Sequence, residues 1–342
     1  MRILVTGGAG YVGSVSVERL VEVGHRVVVL DDLSTGHRAA VESPTFVHGS
    51  YSDGPATAAL LEREGIEAIL HCAARSLVGE SIADPARYYR DNVAGGVALL
   101  EAARTVGVRR VVFSSTAAVY GSPAVSPIQE DAPLDPINPY GETKRTFEGA
   151  LRWYGVAYGL RSVSLRYFNV AGASGRNGER HDPETHLIPN VLAAAESGRP
   201  VTVFGTDYPT ADGTNVRDYI HVQDLADAHL EALQATADDD PRTDDPEAPG
   251  DRRRGRALAL NLGSAAGSSV LEVIAAAERV VGRPIETELG PRRAGDPPVL
   301  VAANARALDV LGWAPRRGSL DEMVGSAWAW RQSHPDGYPD AS

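Results

Sequence analysis

Lysine is almost absent from this chain of 342 residues: of 33 basic residues only Lys144 is a lysine, and the rest are Arg. Cysteine is equally scarce. Cys72 stands alone, which excludes an intrachain disulfide or a thiolate metal cluster and suits a reducing compartment. The nine His show no ligand-spaced cluster, so no metal site is expected. No apolar run approaches the ~18 residues of a membrane span. No secretory leader is visible, because Met1-Arg2 passes at once into Ile3-Leu4-Val5. Positive charge is not in excess: a net charge of −12 leaves nothing to neutralise a phosphate backbone, so nucleic acid is not an expected partner. Local Arg clusters can still hold a small anion. These absences leave a soluble, cytoplasmic globular protein, long enough for one large α/β unit or two lobes.

What is present is alternation. Strand-like apolar runs at Arg2–Thr6, Arg26–Asp31, Thr45–His48, Ile66–Cys72, Arg109–Ser114 and Arg161–Phe168 are separated by amphipathic stretches such as Gly13–Val23 and Tyr88–Thr105. Strands this uniformly apolar imply a doubly wound, parallel, Rossmann-type α/β sheet covered on both faces. Ligands in such sheets bind beyond the carboxyl ends of the strands. After Val170 the chain becomes loop-rich and polar. The expected organisation is therefore residues 1–170 as a dinucleotide-binding domain and 171–342 mainly as a smaller substrate lobe. Helices at Asp224–Leu233 and Ser269–Val280 can return to the first domain. Residues 237–256, acidic and then basic with no apolar content, are expected to form a mobile surface loop.

Ile3-Leu4-Val5-Thr6 runs into Gly7-Gly8-Ala9-Gly10-Tyr11-Val12-Gly13 and then a helical pattern. Gly7 allows the tight turn, Gly10 lets the backbone approach a pyrophosphate, and Gly13 lets helix and sheet pack closely. The helix N-terminus favours the anion. A second strand ends at Asp31, at the distance in sequence expected of a carboxylate on the adenosine ribose. Asp31 and Asp32 would repel a 2′-phosphate, so NAD is expected over NADP.

Asn138-Pro139-Tyr140-Gly141-Glu142-Thr143-Lys144 reads as a helix start, with Asn138 as the cap and Pro139 in the first turn. A spacing of four puts Tyr140 and Lys144 on one helix face. A phenol is a poor base at neutral pH, and a nearby cation is expected to lower its pKa. Such a phenolate can take a proton from a sugar hydroxyl. Upstream, Val111-Val112-Phe113-Ser114-Ser115-Thr116 is a buried strand that empties into hydroxyl residues, and Thr116 can bond the same hydroxyl.

With these residues in hand, the chain resembles the extended short-chain dehydrogenase/reductases, and among them the UDP-glucose 4-epimerases. The resemblance covers nearly the whole chain. It is carried by DDLSTGH (31–37), SLVGES (76–81), FSSTAAVYG (113–121), NPYGETK (138–144), RYFNVAGA (166–173), the stretch 204–229 and RRAGDPP (292–298). It implies Tyr140 as general base, Lys144 as its electrostatic partner and a ribose ligand, and Thr116 as a helper. It implies cofactor contacts from Tyr11 and Val12 of the glycine turn, from Asp31, Asp32, Ser50 and Tyr51, from Ala73, Ala74, Ser76 and Asn92, and from Ser114 and Phe168. Around a UDP-sugar it implies Thr116, Asn169, His186, Leu187, Phe204, Arg217, Arg293, Asp296 and Leu300. The two Arg suit a diphosphate because each guanidinium presents a planar fork of donors.

The chemistry so implied is oxidation at the sugar C4 by tightly held NAD, giving NADH and a transient 4-keto sugar, rotation of that sugar, and return of hydride to its other face. UDP-galactose and UDP-glucose would thereby interconvert. Several positions depart from the common pattern. Ser50 stands where an Asp usually contacts adenine, Val15 replaces a frequent His, Cys72 a common Phe, and His186 an Asn that contacts sugar. Leu300, of medium bulk, leaves room for a 2-acetamido group, so a UDP-N-acetylglucosamine 4-epimerase is the alternative. Dehydratases of the superfamily carry Asp-Glu after the catalytic Thr, and this chain has Ala117-Ala118. A non-catalytic NAD sensor would need no Tyr140, Lys144 or Thr116. Related enzymes are homodimers through two long helices, and 91–106 and 139–154 are the matching segments.

Overall fold

The computed structural model describes residues 1–42, 45–237, 256–293 and 296–339. In chain order it begins β1 (Arg2–Thr6), α1 (Tyr11–Glu22), β2 (Arg26–Asp31), β3 (Thr45–His48), α2 (Gly54–Glu64) and β4 (Ala68–His71). Next come α3 (Val78–Ala83), α4 (Pro85–Tyr88), α5 (Gly96–Val106), β5 (Arg110–Thr116), α6 (Pro139–Tyr158), β6 (Arg161–Tyr167) and β7 (Asn169–Ala171). The later chain adds α7 (Leu187–Ser197), β8 (Val201–Phe204), β9 (Val216–His221), α8 (Val222–Ala235), β10 (Ala257–Leu262) and β11 (Gly267–Ser269). It ends with α9 (Val270–Val281), β12 (Thr287–Gly290), β13 (Val299–Leu300), α10 (Ala305–Leu311) and α11 (Leu320–Ser333).

Seven strands form one parallel sheet in the order β10-β6-β5-β4-β1-β2-β3. Successive side chains along a strand face opposite sides, and here both sides are apolar. Ile3, Val5, Val27, Val29 and Val112 join a core with α1, α8 and α10, whereas Leu4, Val28, Leu30, Val111 and Phe113 pack with α2, α5 and α6. That is why the strands read as continuous apolar runs. The chain leaves β1 toward β2 on one side and later returns to β4 on the other, so a crevice opens where β1 and β4 end.

The remaining strands are short. β11-β9-β13, with β7 beside β9, make a second sheet, and β12-β8 a two-stranded one. Apolar residues of β7, β8 and β9 share a core with α7, α9 and α11. Residues 238–255, most of the expected surface loop, lie outside the described residues.

Two local differences from the sequence reading have clear causes. The run 88–105 is not one regular helix: Tyr89–Gly95 forms a wide π turn before α5. A Cβ on Gly96 would stand 2.5 Å from the Phe147 ring, so the glycine pair there admits a close approach that a regular amphipathic pattern does not announce. β5 runs on to Thr116 rather than stopping at Ser114, because Ser115 and Thr116 continue the ladder to Arg166 and Tyr167. The strand thus delivers the Thr116 hydroxyl to the crevice.

Candidate active site

The glycine turn sits at the carboxyl end of β1. Gly7 has φ +71°, and a Cβ there would lie 2.5 Å from the Ala73 backbone nitrogen. On Gly13 a Cβ would approach the Gly7 carbonyl to 2.0 Å, so both positions demand glycine. Gly10 caps α1 without a side-chain hydrogen bond, and no acid lies in the first turn. Its N–H groups and dipole therefore remain available to an anion. Asp31, 8% exposed, accepts from Ala9 N at 2.9 Å and Leu33 N at 2.8 Å. Burial pushes its carboxyl up while these two N–H groups pull it down. The carboxylate thus braces the turn as well as facing the crevice, and exposed Asp32 holds Ser34 N at 2.9 Å.

Opposite this turn stands α6. Asn138 accepts from Gly141 N at 2.9 Å and Pro139 occupies the first turn, as the sequence predicts. Lys144 is buried; its Nζ donates to the Ser114 carbonyl at 2.7 Å, lies 4.6 Å from the Phe113 ring centre and 5.9 Å from that of Tyr140. Burial lowers the ammonium from 10.5 to about 8, partly opposed by Cys72 and Glu148. Tyr140 is raised above 10.0 by burial, and its hydrogen bond with Thr116 acts the other way. The expected net lowering of the phenol is therefore not present before a ligand enters. Desolvation outweighs the attraction of a cation nearly 6 Å from the ring.

Toward the second sheet, Arg217 on β9 is paired with Asp296 and donates to the Val216 carbonyl at 2.8 Å. Asn215 donates to the other Asp296 oxygen at 2.6 Å. Arg293 stacks 4.2 Å from the centre of the Phe204 ring. Leu300 on β13 lies in register beside Arg217 and is half-buried. All of these groups line one cavity of about 1870 Å³ with the glycine turn, Tyr140, Lys144 and Thr116. Val12, Ser50, Tyr51, Ala73, Ala74, Ser76, Phe168, Asn169, His186 and Leu187 line it too.

Two expected site residues do not reach the cavity. Asn92 is buried behind its wall, where its amide binds the backbone of Arg75 (2.8 and 3.0 Å) and the Thr143 hydroxyl (3.1 Å). Ser114 lies beneath Lys144, its hydroxyl within 3.2 Å of Cys72 Sγ and His229 Nε2. Asn92 holds Arg75, and the Ser114 carbonyl holds Lys144, both of which line the cavity.

A family model described as the NAD dependent epimerase/dehydratase family matches residues 3–244. The chain belongs to that family. It is 48% identical over 344 residues to a UDP-glucose 4-epimerase of Lactobacillus helveticus, covering 99% of this chain and 100% of the relative. Among solved structures, a Brucella ovis UDP-glucose 4-epimerase in complex with NAD superposes with a TM-score of 0.88 at 44% identity, covering 96% and 97% of the two chains. One from Bifidobacterium longum, in complex with NAD+ and UDP, gives 0.89 at 34% identity, covering 99% and 100%.

As a member of this NAD-dependent family, the chain shows a cradle that fits the cofactor: glycines where a Cβ would collide, an uncapped helix start and an acid at the end of β2. No helix among the described residues is long and apolar enough to cross a membrane. One expectation needs correction. His181 and His186 do converge, with Glu179 and Glu184, into a group whose ligand atoms lie within 4.8 Å of one another. Burial disfavours the charged imidazoles, yet the two carboxylates raise His181 to about 9 and His186 to about 10. The spacing Glu-x-His-x-x-Glu-x-His was readable at 179–186. Half of its ligand-type side chains are carboxylates, so the His positions by themselves do not reveal it.

Proposed function

We propose that this chain is an NAD-dependent UDP-glucose 4-epimerase, interconverting UDP-galactose and UDP-glucose. The observation that carries the reading is one cavity holding a dinucleotide turn, a Tyr140–Thr116 hydrogen-bonded pair with buried Lys144, and two arginines toward the second sheet. Gly7, Gly10, Gly13 and Asp31 hold NAD, which when bound supplies the exchange of hydride at the sugar C4. Tyr140 accepts the proton of the C4 hydroxyl and later returns it. Thr116 orients that hydroxyl. Lys144, fixed by the Ser114 carbonyl, supplies positive charge to the phenolate and hydrogen bonds to ribose.

Arg217 and Arg293 grip the diphosphate, with Phe204, Asn169, Leu187 and Asp296 around the nucleotide. Their remote binding energy leaves the hexose free to turn. Ala117 and Ala118 line the cavity where an acid pair would be needed to eliminate water, which favours epimerisation over dehydration. The first 170 residues, completed by α8, β10 and α10, act as the cofactor domain, and the rest of the later chain closes over the sugar nucleotide. Two copies pair through α5 and α6, which leaves Trp153 and Tyr158 59% and 51% exposed in the single chain. Light scattering giving the mass of one chain would contradict that pairing.

Half-buried Leu300 leaves the sugar pocket able to take a 2-acetamido group, so UDP-N-acetylgalactosamine belongs in the substrate panel. The decisive assay is purified protein with UDP-galactose and NAD. UDP-glucose should form, and Tyr140→Phe should slow it by roughly 10²- to 10⁴-fold. No product, or turnover unchanged in Tyr140→Phe, overturns the assignment.

A further inference from the structure

Between β7 and α7 the chain carries Glu179, His181, Glu184 and His186 within eight residues, on the rim of the cavity. His186 Nδ1 stands 2.7 Å from Glu179 Oε1 and 3.0 Å from Glu184 Oε1. His181 Nδ1 stands 3.2 Å from Glu179 Oε1 and 3.8 Å from Glu184 Oε2. Four N and O donors placed tetrahedrally at zinc's usual bond lengths would be about 3.3 Å apart. The four imidazole–carboxylate separations bracket that value, and all four ligand atoms lie within 4.8 Å of one another.

An ordinary ion-pair cluster is the rival reading, and one atom speaks against it. His181 Nδ1 is shielded from solvent and lies 3.2 Å and 3.8 Å from two carboxylates, yet its N–H is well aligned with neither. A nitrogen that faces an acceptor without being aligned to it is placed for a centre shared with its neighbours. The chemistry of the donors narrows the ion. Two imidazoles and two carboxylates suit a borderline divalent metal, whereas calcium and magnesium prefer oxygen alone. Two carboxylates also balance a charge of +2 in a half-buried place.

We propose that Glu179, His181, Glu184 and His186 form a zinc site. With four protein ligands it is closed and structural. The ion ties together the segment that enters α7, for which His186 is the N-cap residue. The His181 ring meets Tyr11 edge-on at 6.4 Å, and the Tyr11 hydroxyl donates to the Gly172 carbonyl at 2.6 Å. Zinc therefore fixes the loop 172–186 against the glycine turn and sets the cavity wall, without touching the reacting atoms. The site stands whether or not the chain is an epimerase.

The test uses the full chain, stripped with a chelator and dialysed, then titrated with zinc alone by calorimetry, with metal content measured by mass spectrometry. One zinc per chain is expected, with a rise in melting temperature, and cobalt(II) in its place should give the intense visible bands of tetrahedral coordination. Loss of even an outer-shell partner weakens metal sites by about 10- to 100-fold, so His181→Ala should weaken binding by about 100-fold or more. Should His181→Ala fail to fold, Glu184→Gln serves as the second variant and is expected to lose affinity likewise. Uptake below one zinc per chain, a pale six-coordinate cobalt spectrum, or undiminished affinity in the variant that folds overturns the site.

Discussion

At the scale of single residues, position 144 joins charge, size and burial. The ammonium donates to the Ser114 carbonyl at 2.7 Å and sits against Phe113. A guanidinium is larger, planar and delocalised, so Lys144→Arg should cut turnover by roughly 100-fold or more; steady-state kinetics showing near-normal turnover would contradict this role. Burial also holds the folded ammonium at about 8 against 10.5. The unfolded chain keeps this proton longer, so between about pH 8 and 10.5 the unfolded state binds more protons and this group's contribution to stability rises with pH. Denaturant unfolding of the cofactor-free protein at pH 8 and pH 10 should show wild type gaining on Lys144→Met by on the order of 2 kcal/mol. A flat or falling difference would contradict that. The Tyr140–Lys144 pairing was legible as a spacing of four on a capped helix. The raised phenol was not, because desolvation depends on what β5 and β6 place around it.

At the scale of elements, the β1–α1 turn is the tightest joint. A Cβ at Gly13 would meet the Gly7 carbonyl at 2.0 Å, so Gly13→Ala must displace either strand end or helix start. Calorimetry should show NAD affinity falling by roughly 10-fold or more, while far-UV circular dichroism stays near wild type. Unchanged affinity would mean that the turn is not the cofactor site. On α6, Asn138→Ala removes the cap and should cost about 1 kcal/mol, read from denaturant midpoints. The six strands of the first half were legible as runs of apolar residues, five of them buried on both faces and β3 partly exposed at the sheet edge. β7, β8, β9, β11, β12 and β13 were not read, since they run from two to six residues and carry polar side chains such as Arg217 and Glu288. The π turn at Tyr89–Gly95 was hidden for another reason: it leads into Gly96, whose close approach to Phe147 joins residues far apart in sequence.

At the scale of the whole molecule, the cavity spans the ends of the seven-stranded sheet and the face of β9, so cofactor turn and arginines come from opposite parts of the chain. Arg293 is exposed and held mainly by stacking on Phe204, so its removal should not disturb the fold. Arg293→Ala should raise KM for the sugar nucleotide about 10-fold with kcat changed little, the signature of binding shared by ground and transition states. An equal fall in kcat would place Arg293 in the chemistry instead.

What the sequence determined by itself is local. Glycines at 7, 10 and 13 after a strand, the cap at Asn138, the pair one helical turn apart and the apolar strands all follow from spacing along the chain, and spacing survives into the fold. Tertiary structure decided where side chains turn. Asn92 faces Arg75 and Thr143 rather than the cavity, Asp31 is engaged by Ala9, Arg217 is paired with Asp296, and Glu179 draws in His181 and His186. Each of these outcomes is a choice among partners, made by distance, burial and charge in three dimensions, and the partners lie anywhere from 2 to 79 positions away along the chain.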